Sequence, residues 1–449
     1  MSGPKAFRIV TRAEIISICR RNLARLDAAI ESWISTCKRN GTVDQSDIDR
    51  IVTRRDEIRG MLETDRFTQL QKQVAAEISY LHADAEQRAE KAAESEARRK
   101  GDSRRARSAA QALLARLETS RIEIPPDLRR ELTTTTASAE NFNKAVGRGL
   151  MLLQPTDRSE GVTDRQRALA GRLDAGDRRI TIEEWISQQA NAIDDPALLK
   201  VDRLIGDLVG LGMDPSPFSA RIAALEAEPR ARQALLADSL LLDLTSAIKS
   251  GRERTRLERD LAERHAELSE MKSVEAAALR VEIERAITEP GANDQELVKR
   301  ADFLIEAEVR SMAAKERRRA VLEGLASLGY EVSEGMLTAW VAGGRVVLRK
   351  PANPGYGVEL SGGSQADVMQ VRAVGIGDPV EARDAGRDRD METIWCSEFE
   401  RLQSLVAKAG GNVSIESARP VGQHPLKVVT DLAARPAGDD VAATRLRRL

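Results

Sequence analysis

Residues 11–37 read TRAEIISICRRNLARLDAAIESWISTC, and this stretch contains the clearest helical pattern in the chain. Thr11 is followed three residues later by Glu14, which is the capping box that often begins a helix. Apolar side chains then recur at alternating steps of three and four residues, the heptad spacing with which two helices interlock. The residues of this N-terminal seam are Ile16, Cys19, Leu23, Leu26, Ile30, Trp33 and Cys37. They predict a long helix that packs against a second helix, supplied either by this chain or by a partner.

Composition extends the helical interpretation to the rest of the chain. Of the 449 residues, 3% are aromatic and 31% are charged. Large aromatic side chains contribute much of the buried area of compact interiors, whereas many charged residues and alanines are typical of long helices with narrow contacts. We therefore expect a mainly α protein with an elongated, coiled-coil-like helical region that contains helical hairpins, followed by a small C-terminal α+β domain.

Proline, glycine and polar breaks divide the sequence into five regions. We predict N-terminal helices with a long helical hairpin over residues 1–124, a bundle of short helices over 125–228, a long helical or coiled-coil tract over 229–328, a small α+β domain over 329–430, and a disordered tail over 431–449. The tail is rich in Ala, Asp, Arg and Pro, a composition that disfavours a packed core.

The N-terminal hairpin is predicted to turn near Lys100, since Gly101 and the polar residues after it form a turn signal. A basic cluster surrounds this point and consists of Arg98, Arg99, Lys100, Arg104, Arg105 and Arg107. Basic side chains at an exposed tip could contact the phosphates of a nucleic acid. Acidic residues are interleaved with them, and no aromatic side chain for base stacking lies nearby. Nucleic-acid binding is therefore an alternative hypothesis and not the leading one.

The helical tract after residue 229 contains a second, less regular apolar repeat. Its members are Leu257, Leu261, Leu268, Met271, Val274, Ala278 and Val281. Seven-residue steps with one local slip occur in coiled coils that contain a stutter. Gly251 is a candidate break in this tract, and Asp294 is predicted to begin a further helix that reaches about Leu328.

The C-terminal domain is predicted from a change to strand-like patterns. Four segments form the expected meander, namely residues 338–341, 346–349, 356–360 and 369–374. Gly343 and Gly344 are predicted to form the tight turn of its first hairpin. A helix over residues 394–406 and a last strand over residues 425–429 complete the predicted four-stranded meander plus helix.

No metal or cofactor site is predicted. The three histidines, His82, His265 and His424, lie far apart in the sequence and outside any metal-binding motif. The chain also lacks the glycine-rich loop, ending in Lys and then Ser or Thr, that binds nucleotide phosphates. Cys396 is the one catalytic candidate, because it lies near the predicted start of a helix, where the pKa of a thiol can be lowered. A thiol enzyme that uses Cys396 is therefore a second alternative.

Net charge and cysteine content indicate the setting in which the protein works. Lys and Arg number 70 and Asp and Glu number 71, which gives no general attraction to nucleic acid or to an anionic membrane. The N-terminus lacks an apolar signal segment, and three cysteines without a framework spacing argue against a secreted disulfide scaffold. We expect a cytoplasmic protein without membrane spans, and its high Ala, Arg and Gly usage is typical of GC-rich bacterial genomes.

The leading functional hypothesis is a non-enzymatic scaffold or adaptor. It rests on the two apolar repeats and on the lack of a catalytic motif in the sequence. The expected partners are other protein subunits of a bacterial multi-protein system, or further copies of this chain. The nucleic-acid alternative is an accessory factor in chromosome maintenance or in defence against mobile DNA.

Overall fold

A computed structural model describes residues 5–134, 139–153, 196–227, 230–289, 294–362, 367–378 and 383–430. Within these ranges the helices are α1 Arg12–Arg39, α2 Gln45–Glu63, α3 Phe67–Thr119, α4 Pro126–Thr133, α5 Ala139–Leu153, α6 Pro196–Gly210, α7 Ser216–Ala227, α8 Arg230–Ser269, α9 Val274–Thr288, α10 Asp294–Ser327, α11 Met336–Gly343 and α12 Ala385–Lys408. The strands are β1 Lys5–Val10, β2 Arg345–Arg349, β3 Tyr356–Gly362, β4 Met369–Ile376, β5 Asn412–Ala418 and β6 Lys427–Val429. The fold is mainly α with a small α+β region, which confirms the predicted fold class.

The described residues belong to two compact units. The first unit comprises Met1–Ala28, Thr53–Glu77 and Asp260–Leu449. The second unit comprises Ala29–Val52 and Ile78–Arg259. Each unit thus combines segments that the sequence pattern assigned to different regions. The predicted disordered tail lies outside the described residues and stays a prediction.

The sheet of the first unit contains two strands that the sequence pattern did not predict, β1 and β5. The strand order is β2-β3-β4-β1-β5, and β6 pairs in parallel with β4. The extra strand β1 pairs antiparallel with both β4 and β5, so the N-terminus completes the C-terminal domain. Phe7 and Ile9 are each 1% exposed, and Arg8 between them faces solvent. This alternation is the period of a half-buried strand.

The predicted four-stranded meander is correct for three strands and wrong for the first. Residues 338–341 lie inside helix α11 and not in a strand. Gly344, predicted as part of a hairpin turn, instead ends that helix with φ of 66°. Glycine adopts this left-handed conformation without steric cost and commonly ends helices. The short apolar run around the buried Trp340 has no periodicity that could distinguish a strand from a helix.

Helix α12 packs on the sheet and closes the core of the first unit. The rings of Phe7 and Phe399 lie edge to face with centroids 5.4 Å apart, and the Trp395 ring packs against Phe399 with centroids 6.1 Å apart. Aromatic pairs of this geometry stabilise a core beyond the area that they bury. On α10, Gly324 lies against Leu402 of α12, so the two helices meet at a position without a side chain.

The predicted helical hairpin is wrong, because α3 continues as one helix through Lys100 and Gly101. Gly101 is buried, and a Cβ atom built on it would lie 2.8 Å from Cδ2 of Leu199 in α6. The glycine therefore marks a close contact between helices and not a turn. Gly251 is also no break, since α8 runs through it and packs it against Met213 and Leu211.

The remaining helices of the second unit form two apolar clusters. The last part of α3 packs with α4 and α5 through residues that include Leu113, Leu128 and Phe142. Helices α6, α7 and α8 share a further cluster around Val201 and Leu244. Residues 135–138, 154–195 and 228 of the short-helix bundle predicted for 125–228 lie outside the described ranges.

Candidate protein-interaction surface

The N-terminal seam lies on α1 and packs within the chain. Six of its seven residues are buried, and Ile16 is half-buried. In the first unit, Nε2 of Gln71 in α3 donates to the Cys19 sulfur at 3.9 Å. In the second unit, the Trp33 indole N–H donates to Asp84 of α3 at 2.9 Å. Helices of the same chain therefore occupy this surface, which leaves little of it for a partner helix.

Partly buried ion pairs line the side of α1 that faces α8 in the first unit. Arg25 donates to Glu263 at 2.8 Å, and Arg21 lies 3.6 Å from Glu267. Burial lowers the pKa of Arg21, although the Glu267 carboxylate opposes that shift. Burial likewise raises the pKa of Glu267, and the nearby arginines oppose it. Paired charges of this kind restrict how two helices can align, because a shift would leave a buried charge unpaired.

The basic cluster on α3 is paired with carboxylates of the same chain. Arg98 binds Glu94 at 2.7 Å, and Arg99 binds Glu96 at 2.8 Å. Arg105 pairs with Asp102 one helical turn away. Arg104 pairs with Asp202 of α6, whose carboxylate is almost fully buried.

Two further members, Lys100 and Arg107, are half-buried on the same helix. The cluster thus lies along a continuous helix and not at an exposed tip. Arginines that already hold a carboxylate must give up that pair before they can bind a phosphate. A nucleic-acid site at this cluster therefore has less free positive charge than the sequence indicated.

Cys396 lies in the middle of α12 and not at its start. The helix begins at Ala385, and Asp384 caps it by accepting hydrogen bonds from the backbone N–H groups of Gly386 and Arg387. The unsatisfied backbone N–H groups that stabilise a thiolate are confined to the first turn of a helix. Cys396 is more than two turns further on and is half-buried. The physical reason for expecting an activated thiol is therefore absent.

An exposed apolar surface occurs instead on the helices α9 and α10. Val274 is 80% exposed, Val281 is 67% exposed and Phe303 is 74% exposed. Ala278 is exposed between the two valines on α9. We call these four residues the α9–α10 surface. The second apolar repeat thus divides, because Leu261 and Leu268 are buried whereas its last three members face outward.

Helix α9 is apolar on two faces, which explains how it can pack and still expose valines. Its inner face is buried and consists of Ala276, Leu279, Ile283 and Ala286. The outer residues Val274, Ala278 and Val281 are four and three positions apart, which places them in one stripe on the opposite side. Spacing of four and three is the a/d pattern with which helices interlock. The outer stripe therefore has the form of a helix-packing seam without a helix on it.

A groove of about 660 Å³ is lined by residues of α9 and α10, and Ala278 of the stripe is one of them. Ala278, Leu279, Phe303 and Leu304 form its apolar lining. Contiguous apolar surface that is rimmed by polar groups commonly marks an interaction site.

Charged side chains form the rim of the groove and mostly pair with each other. Arg300 binds Glu282 at 2.8 Å across the two helices, and Lys299 lies 3.7 Å from Glu296. Glu275 is the remaining carboxylate of the lining and has no cation partner among the described residues. The rim therefore offers one unpaired negative charge beside an apolar floor.

Phe303 did not stand out in the sequence, although a signal for it exists. Ala301 and Ile305 are buried on the inner face of α10, and Phe303 lies between them in sequence. Two residues along a helix correspond to a rotation of about 200°, so a side chain between two buried positions faces outward. A large aromatic residue at such a position is a sign of a contact surface.

Neither a membrane span nor a metal site is found in the described ranges. None of the helices there has an apolar stretch long enough to cross a bilayer. Histidine, cysteine and carboxylate side chains do not gather in groups of three or more that could hold a metal ion in that part of the chain.

No protein-family model, curated protein or solved structure matches this chain. Function must therefore follow from the residues and their contacts. Among these, the outward-facing valines and Phe303 of the α9–α10 surface are the feature that protein binding would most directly explain.

Proposed function

We propose that this protein is a non-enzymatic adaptor whose α9–α10 surface binds a helix of another protein. The observation that carries the proposal is the 74% exposure of Phe303 in a groove that Ala278 of the α9 stripe also lines. Aromatic residues at the centre of an apolar patch commonly supply most of the binding free energy of an interface.

The occupant is an amphipathic helix with an apolar seam and a basic flank. The four-and-three spacing of Val274, Ala278 and Val281 suits a second helix, and the small Ala278 lets the two backbones approach closely. Glu275 lies beside Ala278 in the lining of the groove and has no cation partner among the described residues. A Lys or Arg on the flank of the partner helix would complement it.

The proposed setting is the cytoplasm of a bacterium, where the chain acts as one component of a multi-protein system. The Ala-, Arg- and Gly-rich composition supports a bacterial origin. Cys19 and Cys37 are free, buried thiols, which suits a reducing compartment.

The test begins with a photo-crosslinking amino acid at position 303 in the native host. We expect it to capture one partner reproducibly and in stoichiometric amount. The purified partner should then bind the wild-type chain, and Phe303→Asp should weaken that binding about tenfold or more. Circular dichroism should be unchanged, because the side chain is exposed.

The matched control is Leu242→Asp on α8, because Leu242 is 72% exposed but lies outside the surface. This variant should bind the partner as the wild type does. Equal loss in both variants would argue that the partner binds any exposed apolar side chain. If the crosslink captured a second copy of this chain, the surface would serve self-association and not the binding of another protein. Light scattering of the purified chain would check for the dimer.

A further inference from the structure

The second unit contains a cleft that the adaptor function does not use. Its volume is about 780 Å³, and it is lined by parts of α1, α3, α6 and α8. The floor includes Trp33, Leu81 and Leu211, and the ring of Tyr80, which is 45% exposed, lies at its side. Volumes of several hundred cubic ångströms with an apolar floor and a few charged groups are typical of small-molecule sites.

Four arginines line this cleft. Arg252, Arg256 and Arg259 are spaced four and three residues apart on α8, which places them on one face of the helix. Arg39 joins them from the end of α1. Its Nε atom donates to the carbonyl oxygen of Gly210 at 3.2 Å, which fixes the guanidinium without neutralising it.

Carboxylates of the cleft neutralise two of the four guanidinium groups. Arg259 lies 3.5 Å from Glu86, and Arg252 lies 4.0 Å from Asp207. Arg256 is exposed and has no carboxylate partner among the described residues.

The other acidic groups of the lining are bound by arginines outside it. Asp84 accepts from Arg88 at 2.7 Å, and Glu90 pairs with Arg203 at 2.5 Å. These carboxylates are therefore already satisfied. Arg39, like Arg256, has no carboxylate partner in the described part of the chain, so the cleft keeps two guanidinium groups for an anion.

We propose that the cleft binds a nucleotide-class ligand, with its phosphates on Arg39 and Arg256 and its planar ring against Tyr80. Guanidinium groups bind phosphate oxygens in pairs, which gives both affinity and orientation. An aromatic ring beside the charged groups provides a flat apolar contact for a base.

The test measures binding of ATP, adenosine and inorganic pyrophosphate to the full-length chain by calorimetry. We expect saturable ATP binding that is tighter than that of either fragment. The double variant Arg39→Gln/Arg256→Gln should weaken ATP binding about tenfold or more, because two charge-assisted contacts are lost. Tyr80→Leu should weaken ATP binding but leave pyrophosphate binding unchanged.

The matched control is Arg254→Gln, since Arg254 lies on the same helix, pairs with Glu258 and is outside the cleft. It should bind ATP as the wild type does. Three results would overturn the proposal: no saturable ATP binding up to about 1 mM, an equal loss in the Arg254 control, or pyrophosphate binding as tight as that of ATP. These variants leave the α9–α10 surface intact, so failure here is distinct from failure of the adaptor function.

Discussion

Gly206 of α6 packs directly on the backbone of Ala93 in α3. A Cβ atom built on Gly206 would lie 2.9 Å from the Ala93 Cα atom and 3.2 Å from its carbonyl oxygen. Helix backbones approach this closely only where one of them lacks a side chain. The contact between α3 and α6 in the second unit therefore depends on a glycine.

Gly206→Ala is expected to destabilise the protein, although alanine favours helices by about 1 kcal/mol over glycine. The new methyl group meets backbone atoms, which cannot move aside as a side chain can, and overpacking of this kind costs about 1–3 kcal/mol. Urea unfolding followed by circular dichroism should show a lower midpoint. Hydrogen exchange should accelerate in α3 and α6.

Gly60→Ala is the matched control for this prediction. Gly60 lies inside α2, and a Cβ atom there would meet no atom of the described residues within 4 Å. Its substitution should stabilise the protein by about 0.5–1 kcal/mol through helix propensity alone. If Gly206→Ala were more stable than the wild type, α3 and α6 would have to move apart at little cost in free energy.

Glycines of this type explain part of what the sequence could not predict. A glycine in a helical pattern has the same local signal whether it ends the helix or contacts another helix. The sequence pattern predicts breaks at Gly101 and Gly251, although both are packing contacts within continuous helices. Leu199, which contacts Gly101, is distant in sequence, so no local pattern could identify it.

Features that follow from the periodicity of a single segment could be predicted from the sequence. The buried heptad of α1 and the start of α10 at Asp294 follow from helical spacing and capping. Strand β1 also had a local signal in the alternation of Phe7, Arg8 and Ile9, but its pairing with β4 and β5 could not follow from a segment so short. The carboxylate partner of Arg104 likewise lies on another helix.

Arg104→Ala should destabilise the protein without a specific effect on nucleic-acid binding. The change removes the cation that pairs with Asp202, whose side chain is 6% exposed. An unpaired buried carboxylate costs about 3 kcal/mol or more. Urea unfolding should therefore show a clearly lower midpoint for this variant.

Arg98→Ala is the comparison, because Arg98 is 74% exposed and, among the described residues, pairs only with Glu94 on its own helix. Exposed pairs contribute about 0–1 kcal/mol, so its stability should be close to that of the wild type. The nucleic-acid hypothesis predicts an effect on binding and not on stability. Under it, neutralising Arg98, Arg99, Arg104 and Arg105 would abolish salt-sensitive binding to DNA or RNA, measured at low ionic strength.

Cys396 should react with iodoacetamide no faster than a small-molecule thiol such as N-acetylcysteine. Its position in the middle of α12 provides no helix-end field that would favour the thiolate. Cys19 and Cys37 should react more slowly still, because burial raises the pKa of both thiols and hides them from the reagent. Mass spectrometry of peptides after timed alkylation would measure all three residues in one sample.

Denatured protein is the control for this experiment, since all three thiols should then react at similar rates. A native Cys396 that reacts faster than the model thiol would restore the thiol-enzyme hypothesis. A native Cys19 or Cys37 that reacts first would contradict the packing of the α1 seam.

Glu359→Gln should remove part of the acid sensitivity of the first unit. Glu359 on β3 is 2% exposed and accepts from Lys427 of β6 at 2.8 Å and from Arg372 of β4 at 2.5 Å. Burial alone would raise the pKa of this carboxyl group, but the two hydrogen-bonded cations outweigh burial and lower it. The ionised form is therefore favoured more in the folded state than in the unfolded chain.

The sign of the pH dependence follows from this lowered pKa. Above the unfolded pKa of Glu, about 4.3, the ionised carboxylate contributes its full stabilisation. As the pH falls through the folded value, the unfolded chain has already bound a proton, and the stabilisation is lost. The wild type should therefore lose more stability between about pH 6 and about pH 3 than Glu359→Gln does.

Urea midpoints at the two pH values measure this difference, and hydrogen exchange of β6 locates it. At neutral pH the glutamine variant should be less stable by about 1–3 kcal/mol, because Lys427 and Arg372 lose a charged acceptor. Glu416→Gln is the control, since Glu416 on β5 pairs with Arg8 at an exposed position. If the stability of the wild type and of Glu359→Gln changed equally with pH, Lys427 and Arg372 would not be holding the Glu359 carboxylate in its ionised form.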